Sequence, residues 1–306
     1  MFDEIQKNLL KEVAGIEAIP QGAYNIRSDG KLSGRNTTEN IDIITKKDNS
    51  GIDVIIKPNT KKQRVDLPVI ITKSGLKDLV YNDFYVGENC DITIVAGCGI
   101  CNSGNDDSEH DGIHSFHVGK NAKVLYIEKH YGQGDGKGER ILNPTTIIEI
   151  DEGGYLQMET AQIKGVDSSY RKTTATLKDN STLIIHEKMM THGTQKAYTD
   201  FKVNLDGKDC KAHVVSRSIA KDNSFQKFVS LIDGNNSCSG HTECDAILID
   251  EGKVSAEPRI NANHIEANLV HEATIGKIAG EQLTKLMTLG LTEKEAEEQI
   301  INGFLK

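Results

Sequence analysis

Polar turns of one make recur along this chain at a nearly fixed interval, and that interval narrows the folds open to it. The turns are "GEN" at 87, "GKN" at 119, "DEGG" at 151, "KDNS" at 178, "DGKD" at 206, "DGNN" at 233 and "DEGK" at 250, most of them roughly 27 to 33 residues apart. Between them run segments with apolar residues at every second position: "DITIVAG", "AKVLYIEKH", "TTIIEIDEG", "STLIIHEK", "FKVNLDG", "AHVVSRS" and "CDAILID". A period of two is the mark of a strand. Strands grouped in units of that length, with weak similarity from unit to unit, describe a stacked solenoid in which each coil buries its apolar face against its neighbours. An antiparallel sandwich of the same strands is the competing arrangement. Trp is absent, aromatic residues are 5% of the chain and Gly numbers 28, which suits short strands and turns better than a helical bundle. The expected fold class is an all-β core, a parallel β-helix.

The ends depart from this period. Phe2, Ile5, Leu9, Val13 and Ile16 fall at three- and four-residue spacing, the stripe of one amphipathic helix over residues 1 to about 17. Near the other end "GEQLTKLMTLG" reads as a helix closed by Gly290. "LTEKEAEEQIINGF" places Thr292 and Glu295 in capping-box spacing and ends at Gly303. The expected organisation is a helical or irregular segment over 1–49, a β-helix core over 50–272 and a small helical segment over 273–306. The two terminal helices either dock a partner or plug the open end of the solenoid.

"MFDEIQKNLL" has acidic residues early and no continuous apolar stretch, so it reads as neither a secretory signal nor a transit peptide. No run approaches the ~18 apolar residues of a membrane span. A soluble, cytoplasmic protein is expected, without a membrane partner. The net charge of -9, with no block of Lys and Arg, argues against a nucleic-acid partner. In that compartment the six cysteines (Cys90, Cys98, Cys101, Cys210, Cys238, Cys244) are expected as thiols, free to be core residues, nucleophiles or metal ligands. Cys90 and Cys210 suit buried hydrophobes best.

Several stretches carry possible chemistry. "GQGDGKG", 132–138, lacks the spacing of a phosphate-binding loop and no Ser or Thr follows Lys137, so it is expected to be a flexible loop that binds no ATP. "NDDSEHDGIHSFH" crowds His110, His114 and His117 among acids, but on a strand His114 and His117 face opposite sides and do not share an ion without a bend. "CGIC" (Cys98, Cys101) and "CSGHTEC" (Cys238, His241, Cys244) have zinc-ligand spacings, neither with four ligands, and a zinc-stabilised structural β-helix without catalysis is the alternative function. A carbohydrate-active β-helix needs paired carboxylates or recurrent calcium-binding aspartates, and none recurs on successive strands.

The segments "ECDAILID", "VHEATIGKIAGEQL" and "LGLTEKEAEEQIINGF" resemble the C-terminal core of the SufB/SufD family of iron-sulfur cluster scaffold proteins. "AGCGI", "IHSFHVGKNAKVLY", "YGQGDGKGER", "VVSRSIA" and "FVSLIDG" extend the resemblance, in order, over about residues 85 to 306. Having both a cluster-type cysteine and the HEA box in one short chain is more like SufB, in the manner of minimal archaeal and anaerobe systems. The resemblance implies a right-handed parallel β-helix with a C-terminal helical segment. It implies a scaffold, not an enzyme, that builds an iron-sulfur cluster transiently at a subunit interface. The partners it implies are a SufC-like ABC-type ATPase, through which alone ATP acts, a second copy in a homodimer, and a sulfur donor of the cysteine desulfurase system.

Carried over residue by residue, the cluster-building cysteine falls on Cys244 and its acidic ligand on Glu272, with His271 beside it. The sulfur-accepting cysteine of a Gly-Cys pair falls on Cys98, from which sulfur is thought to pass through the β-helix interior. After Cys98 the sequence reads "GIC", which leaves open whether Cys98 or Cys101 accepts the sulfur. His271 and Glu272 are adjacent, so in extended backbone one is expected to face the Cys244 site and the other a dimer mate. Thiolate is the preferred iron ligand in clusters, and imidazole or carboxylate completes a site that must later release its cargo.

Overall fold

The computed structural model describes residues 2–305. Two ten-stranded sheets face one another, and from the strand Lys61–Ile71 onward the chain crosses between them from strand to strand, except that Arg140–Leu142 and Thr145–Ile150 both lie in the second sheet. From the strand Lys61–Ile71 to the strand Ala267–Lys277 every pairing is parallel, so the molecule is a β-solenoid. The register does not drift over the later coils, where Lys196 pairs Phe225 and Phe225 pairs Lys253. Along the middle coils alternate residues of the strands are buried, for example throughout Lys123–Gln133 and Thr182–Thr191. Most of the inward apolar residues form one long core, with Phe84 stacked on Phe116 at 4.4 Å, and a smaller cluster gathers Val69, Ile71, Cys98 and Ile100.

The recurring turns hold because one residue in each adopts the left-handed conformation that Asn, Asp and Gly reach at least cost. Asn89, Asn121, Gly153, Asn180, Asp209 and Asp250 all have φ between 54 and 66°. "DGNN" departs, since Gly234 closes the strand Phe225–Gly234. The turns also stack: Asn89 N–H donates to the Lys120 carbonyl, Asn121 to Glu152, Gly153 to Asp179, Asn180 to Lys208 and Asp209 to Ser237. Each corner thereby satisfies the donor of its neighbour.

Strands begin earlier than expected. The stretch 1–49, read as helical or irregular, holds the strands Ala23–Ser28, Lys31–Asn36 and Ile41–Thr45. Ala23–Ser28 joins the first sheet beside Lys61–Ile71, and two antiparallel hairpins close this end of the solenoid. Lys31–Asn36 is an exposed edge strand without burial alternation, so no period of two marks it.

Helix α1 (Glu4–Ala14) is capped by Asp3 and Gln6 bonding reciprocally, and ends at Gly15 with φ 66°. It buries Leu9, Leu10 and Val13 on the outer face of the strand Asp91–Cys101. Two glycines of "AGCGIC" permit this, because a Cβ on Gly97 would lie 2.4 Å from the Val13 carbonyl oxygen. At the far end α2 (Gly280–Thr288) buries no residue. The Thr292–Glu295 capping box is formed, and α3 (Glu293–Phe304) seats Ile301 against Ile219 and Ile249 on the flank of the solenoid, with Lys221 paired to Glu297 at 2.7 Å. The last coil, Lys253–Ala262 and Ala267–Lys277, remains largely exposed.

Candidate functional site

The register of the first sheet lines up side chains from different coils along its inner wall. One inward row reads Ala96, Glu128, Thr160, Glu187, Ser216, Cys244 and Ala273. The next row begins Cys98, His130, Gln162, Met189 and Ser218. Cys98 and Cys244 therefore share one wall, five strands apart, or about 24 Å at the ~4.8 Å spacing of neighbouring strands. What separates them is polar. Thr146, Thr173 and Ser230 add buried hydroxyls without a hydrogen-bond partner from the opposing sheet.

A buried charge cluster occupies the middle of this wall. Arg171, from the second sheet, donates a short hydrogen bond to Glu128 and lies 3.5 Å from Glu187, with all three side chains 3% exposed. Burial opposes the Glu128 charge, yet Arg171, and then His130 and His114, hold its carboxyl well below the usual range. For Glu187 burial wins and raises the carboxyl, although Ser216 and Thr199 donate to it at 2.7 and 3.0 Å. Ser216 lies directly beside Cys244 on the ladder. Burial, and then Glu187 and Asp245, push the Cys244 thiol up to about 12. Burial likewise drives the Cys98 thiol well above its ordinary value, followed by Asp78 and Glu128. In the resting chain both are protonated thiols.

His114 belongs to the same interior. Its Nδ1 is 2.9 Å from the Tyr126 hydroxyl, which donates to Glu128 at 3.1 Å. Burial lowers His114 from 6.5 to about 4. The unfolded chain therefore takes up a proton near pH 6.5 that the folded chain refuses, and stability falls as pH drops from 6.5 towards 4. The expected contribution is roughly 3 kcal/mol at full protonation of the unfolded state. Urea unfolding at pH 7 and pH 4.5 measures it: the native chain should lose more stability across that interval than His114→Gln, and equal losses would refute the assignment.

Strand alternation separates several residues grouped in the sequence. Cys98 faces the interior, whereas Cys101 lies outside it, packed beneath α1 with Leu9 and Val13. Cys238 and Cys244 face inward while His241 faces outward, stacked on His213 at 4.9 Å. Neither zinc-spaced motif gathers its ligands. Among the described residues no three His, Cys, Asp or Glu are arranged to hold a metal ion in one chain. His110 and His114 point inward and His117 outward, stacked on Tyr85. His271 falls on the inner face, where its Nδ1 lies 2.6 Å from Thr242 Oγ1, one row from Cys244. Glu272 falls on the outer face beside Glu243, 3.8 Å from His241. A single chain thus brings His271, and not Glu272, to the face of Cys244. The loop 132–138, expected to be flexible, packs backbone to backbone on the loop 102–106, with a Cβ on Gly136 only 2.3 Å from the Gly104 carbonyl oxygen.

Glu128, Arg171 and Glu187 were not singled out from the sequence, although a signal was there. In "KVLYIEKH" Glu128 has the parity of Val124 and Tyr126, so a strand that buries those must bury the carboxylate too.

Fold and interior together define a β-solenoid whose core carries thiols, imidazoles and paired charges in register. Residues 79–304 match the family described as "SUF system FeS cluster assembly, SufBD core domain". The chain belongs to that family. It is similar to an iron-sulfur cluster assembly SufBD family protein of Methanocaldococcus jannaschii, 29% identical over 82% of this chain and 79% of the relative. A relative of the same description from Pyrococcus horikoshii is 26% identical over 92% of this chain and 86% of its own length. One from Archaeoglobus fulgidus is 29% identical over 79% of this chain, but the match spans only 65% of that protein. No helix among the described residues is long and apolar enough to cross a membrane.

Proposed function

We propose that this chain is the scaffold subunit of an iron-sulfur cluster assembly complex, receiving sulfur at Cys98 and building the cluster at Cys244. The observation that carries the reading is the unbroken polar stretch of inner wall, Glu128, Thr160, Glu187 and Ser216, that leads from beside Cys98 to Cys244. Burying charged groups is costly even when they are paired, and apolar side chains of similar volume fill a core at least as well, so the retained Glu128, Arg171 and Glu187 point to a role beyond packing.

His271 supplies an imidazole near Cys244, and its Nε2 is buried without a partner. Glu272 serves from the outer face, where a second copy reaches it. The exposed last coil offers edge strands for that homodimer. The cluster is cargo, held transiently by a mixed ligand set. Its release depends on a SufC-like ABC-type ATPase docked on α2 and α3, the helices that pack least on the solenoid, and ATP acts through that partner alone. Sulfur comes from a cysteine desulfurase system. The chain itself catalyses no turnover and works in the cytoplasm.

Cys98→Ser tests the division of labour. With iron and free sulfide the variant should reconstitute as the native chain does, whereas assembly from a desulfurase and cysteine should fail. Cys210→Ser should succeed by both routes. Equal success of Cys98→Ser with the desulfurase removes Cys98 from the path.

A further inference from the structure

Beneath Cys98 the solenoid encloses a chamber of about 20 Å³, lined among others by Cys98, His110, Gly112, His114, Glu128 and Pro144. Its volume suits one water-sized atom. Gly112 makes the space. A Cβ there would lie 3.1 Å from His114 Nε2 and 3.3 Å from His110 Nε2, so both nitrogens border the volume that the missing side chain leaves open.

The other nitrogen of each ring is already engaged. Asp78 accepts from His110 Nδ1–H at 3.1 Å, and is itself held by Arg27 at 3.0 Å. The Tyr126 hydroxyl is committed to donating to Glu128, so it accepts from His114 Nδ1–H. His114, which burial lowers to about 4, is neutral and presents an Nε2 lone pair to the chamber; His110 Nε2 borders the same space, and no described residue bonds to either nitrogen. His110 is 5% and His114 7% exposed, so an Nε2 acceptor bordering this chamber gains a partner only from a guest inside it that supplies hydrogen. Three ligands do not converge, so a metal cage is not what the chamber provides. It fits one small atom that carries a hydrogen.

We propose that this chamber seats the outer sulfur of a persulfide on Cys98, with its S–H donating to the Nε2 of His114. The inference rests on the reading of Cys98 as sulfur acceptor and adds what holds the sulfur once it arrives. Formation of the persulfide is balanced without an oxidant. Cys98–SH and a donor persulfide R–S–SH give Cys98–S–SH and R–SH, the sulfane sulfur moving to Cys98 and the thiol proton leaving on the departing thiolate. Pro144, one of the lining residues, lies where the strands Arg140–Leu142 and Thr145–Ile150 are interrupted beside the chamber. Pro144 has no N–H to continue the ladder there. His110 and His114 are positioning residues, and Gly112 is the vacancy they flank.

The test uses the full chain, reduced and held without oxygen, treated with inorganic polysulfide. Persulfide at Cys98 is then quantified by alkylation and peptide mass spectrometry, and its lifetime against added dithiol is followed. In the native chain the Cys98 persulfide should form and persist. Gly112→Ala, which fills the cradle, should lower its yield about tenfold, and His114→Gln should shorten its lifetime about fivefold, as expected for one lost hydrogen bond. The Cys210 peptide serves as an internal control for reagent entry and should be unchanged. If Gly112→Ala fails to fold, the lifetime in His114→Gln decides alone. Native-like yield and lifetime in the folded variants would show that the chamber holds only solvent and would overturn the inference, leaving Cys98 as acceptor. A native chain that takes no sulfur at Cys98 removes the functional reading and the inference together.

Discussion

Cys244→Ser should leave the solenoid folded and abolish cluster reconstitution. The side chain is 1% exposed in a packed core, and exchanging sulfur for oxygen changes its volume little, so the far-ultraviolet spectrum and urea midpoint should stay close to native. The ligand changes far more than the packing does. A hydroxyl is hard and poorly ionised where iron in a cluster prefers a soft thiolate. After incubation with iron and sulfide the variant should retain about a tenth or less of the native visible absorbance. Cys210, the other thiol that burial pushes up to about 12, is the matched control, since it lies under the turn column at 206–209 and away from the polar wall. A Cys244→Ser chain that binds iron and sulfide as the native chain does would remove that thiol from the site.

Arg171→Met should be the most destabilising single change on the inner wall. It keeps most of the side-chain volume but strips Glu128 and Glu187 of the guanidinium between them, in a place where each carboxyl is 3% exposed. Breaking a buried pair from one side costs about 3–5 kcal/mol, because the charge left behind has neither water nor a partner. The loss has a pH signature. Without Arg171 both carboxyls are raised in the folded state, so the penalty should be largest at pH 7 and shrink as the medium approaches the ordinary carboxylate range and they protonate. Adding Glu128→Gln and Glu187→Gln to Arg171→Met should restore part of the stability. A loss below about 1 kcal/mol for Arg171→Met alone would mean that solvent reaches the cluster.

Much of the fold was legible because it is local. The residues in "GKN", "KDNS" and "DGKD" that must adopt positive φ are Asn121, Asn180 and Asp209, types that tolerate it, and they announce their corners without help from the rest of the chain. The capping box Thr292–Glu295 was legible for the same reason. The strands between 23 and 45 were not. They are short, belong to antiparallel hairpins at an edge, and acquire their burial only from strands that come later in sequence. Cys98 and Cys101 show the same limit at the site. Spacing suggested a shared role, but the odd interval between them sends one thiol inward and the other under α1.

The sequence by itself determined the period of two, the length of the coil, the turn residues and the short motifs around Cys98, Cys244 and His271. These depend on backbone sterics and on contacts within a few residues. Only the tertiary structure decided which side chains from different coils share a row. Glu128, Glu187, Ser216 and Cys244 are separated by 28 to 59 residues in the chain, and they meet because each coil advances by one strand in fixed register. Arg171 reaches Glu128 from the opposite sheet, and His110 and His114 turn their free nitrogens to one point because Gly112 leaves it open. Such placements depend on how far each turn carries the chain and on how the two sheets face each other. Those are properties of the stacked whole, which no single segment encodes.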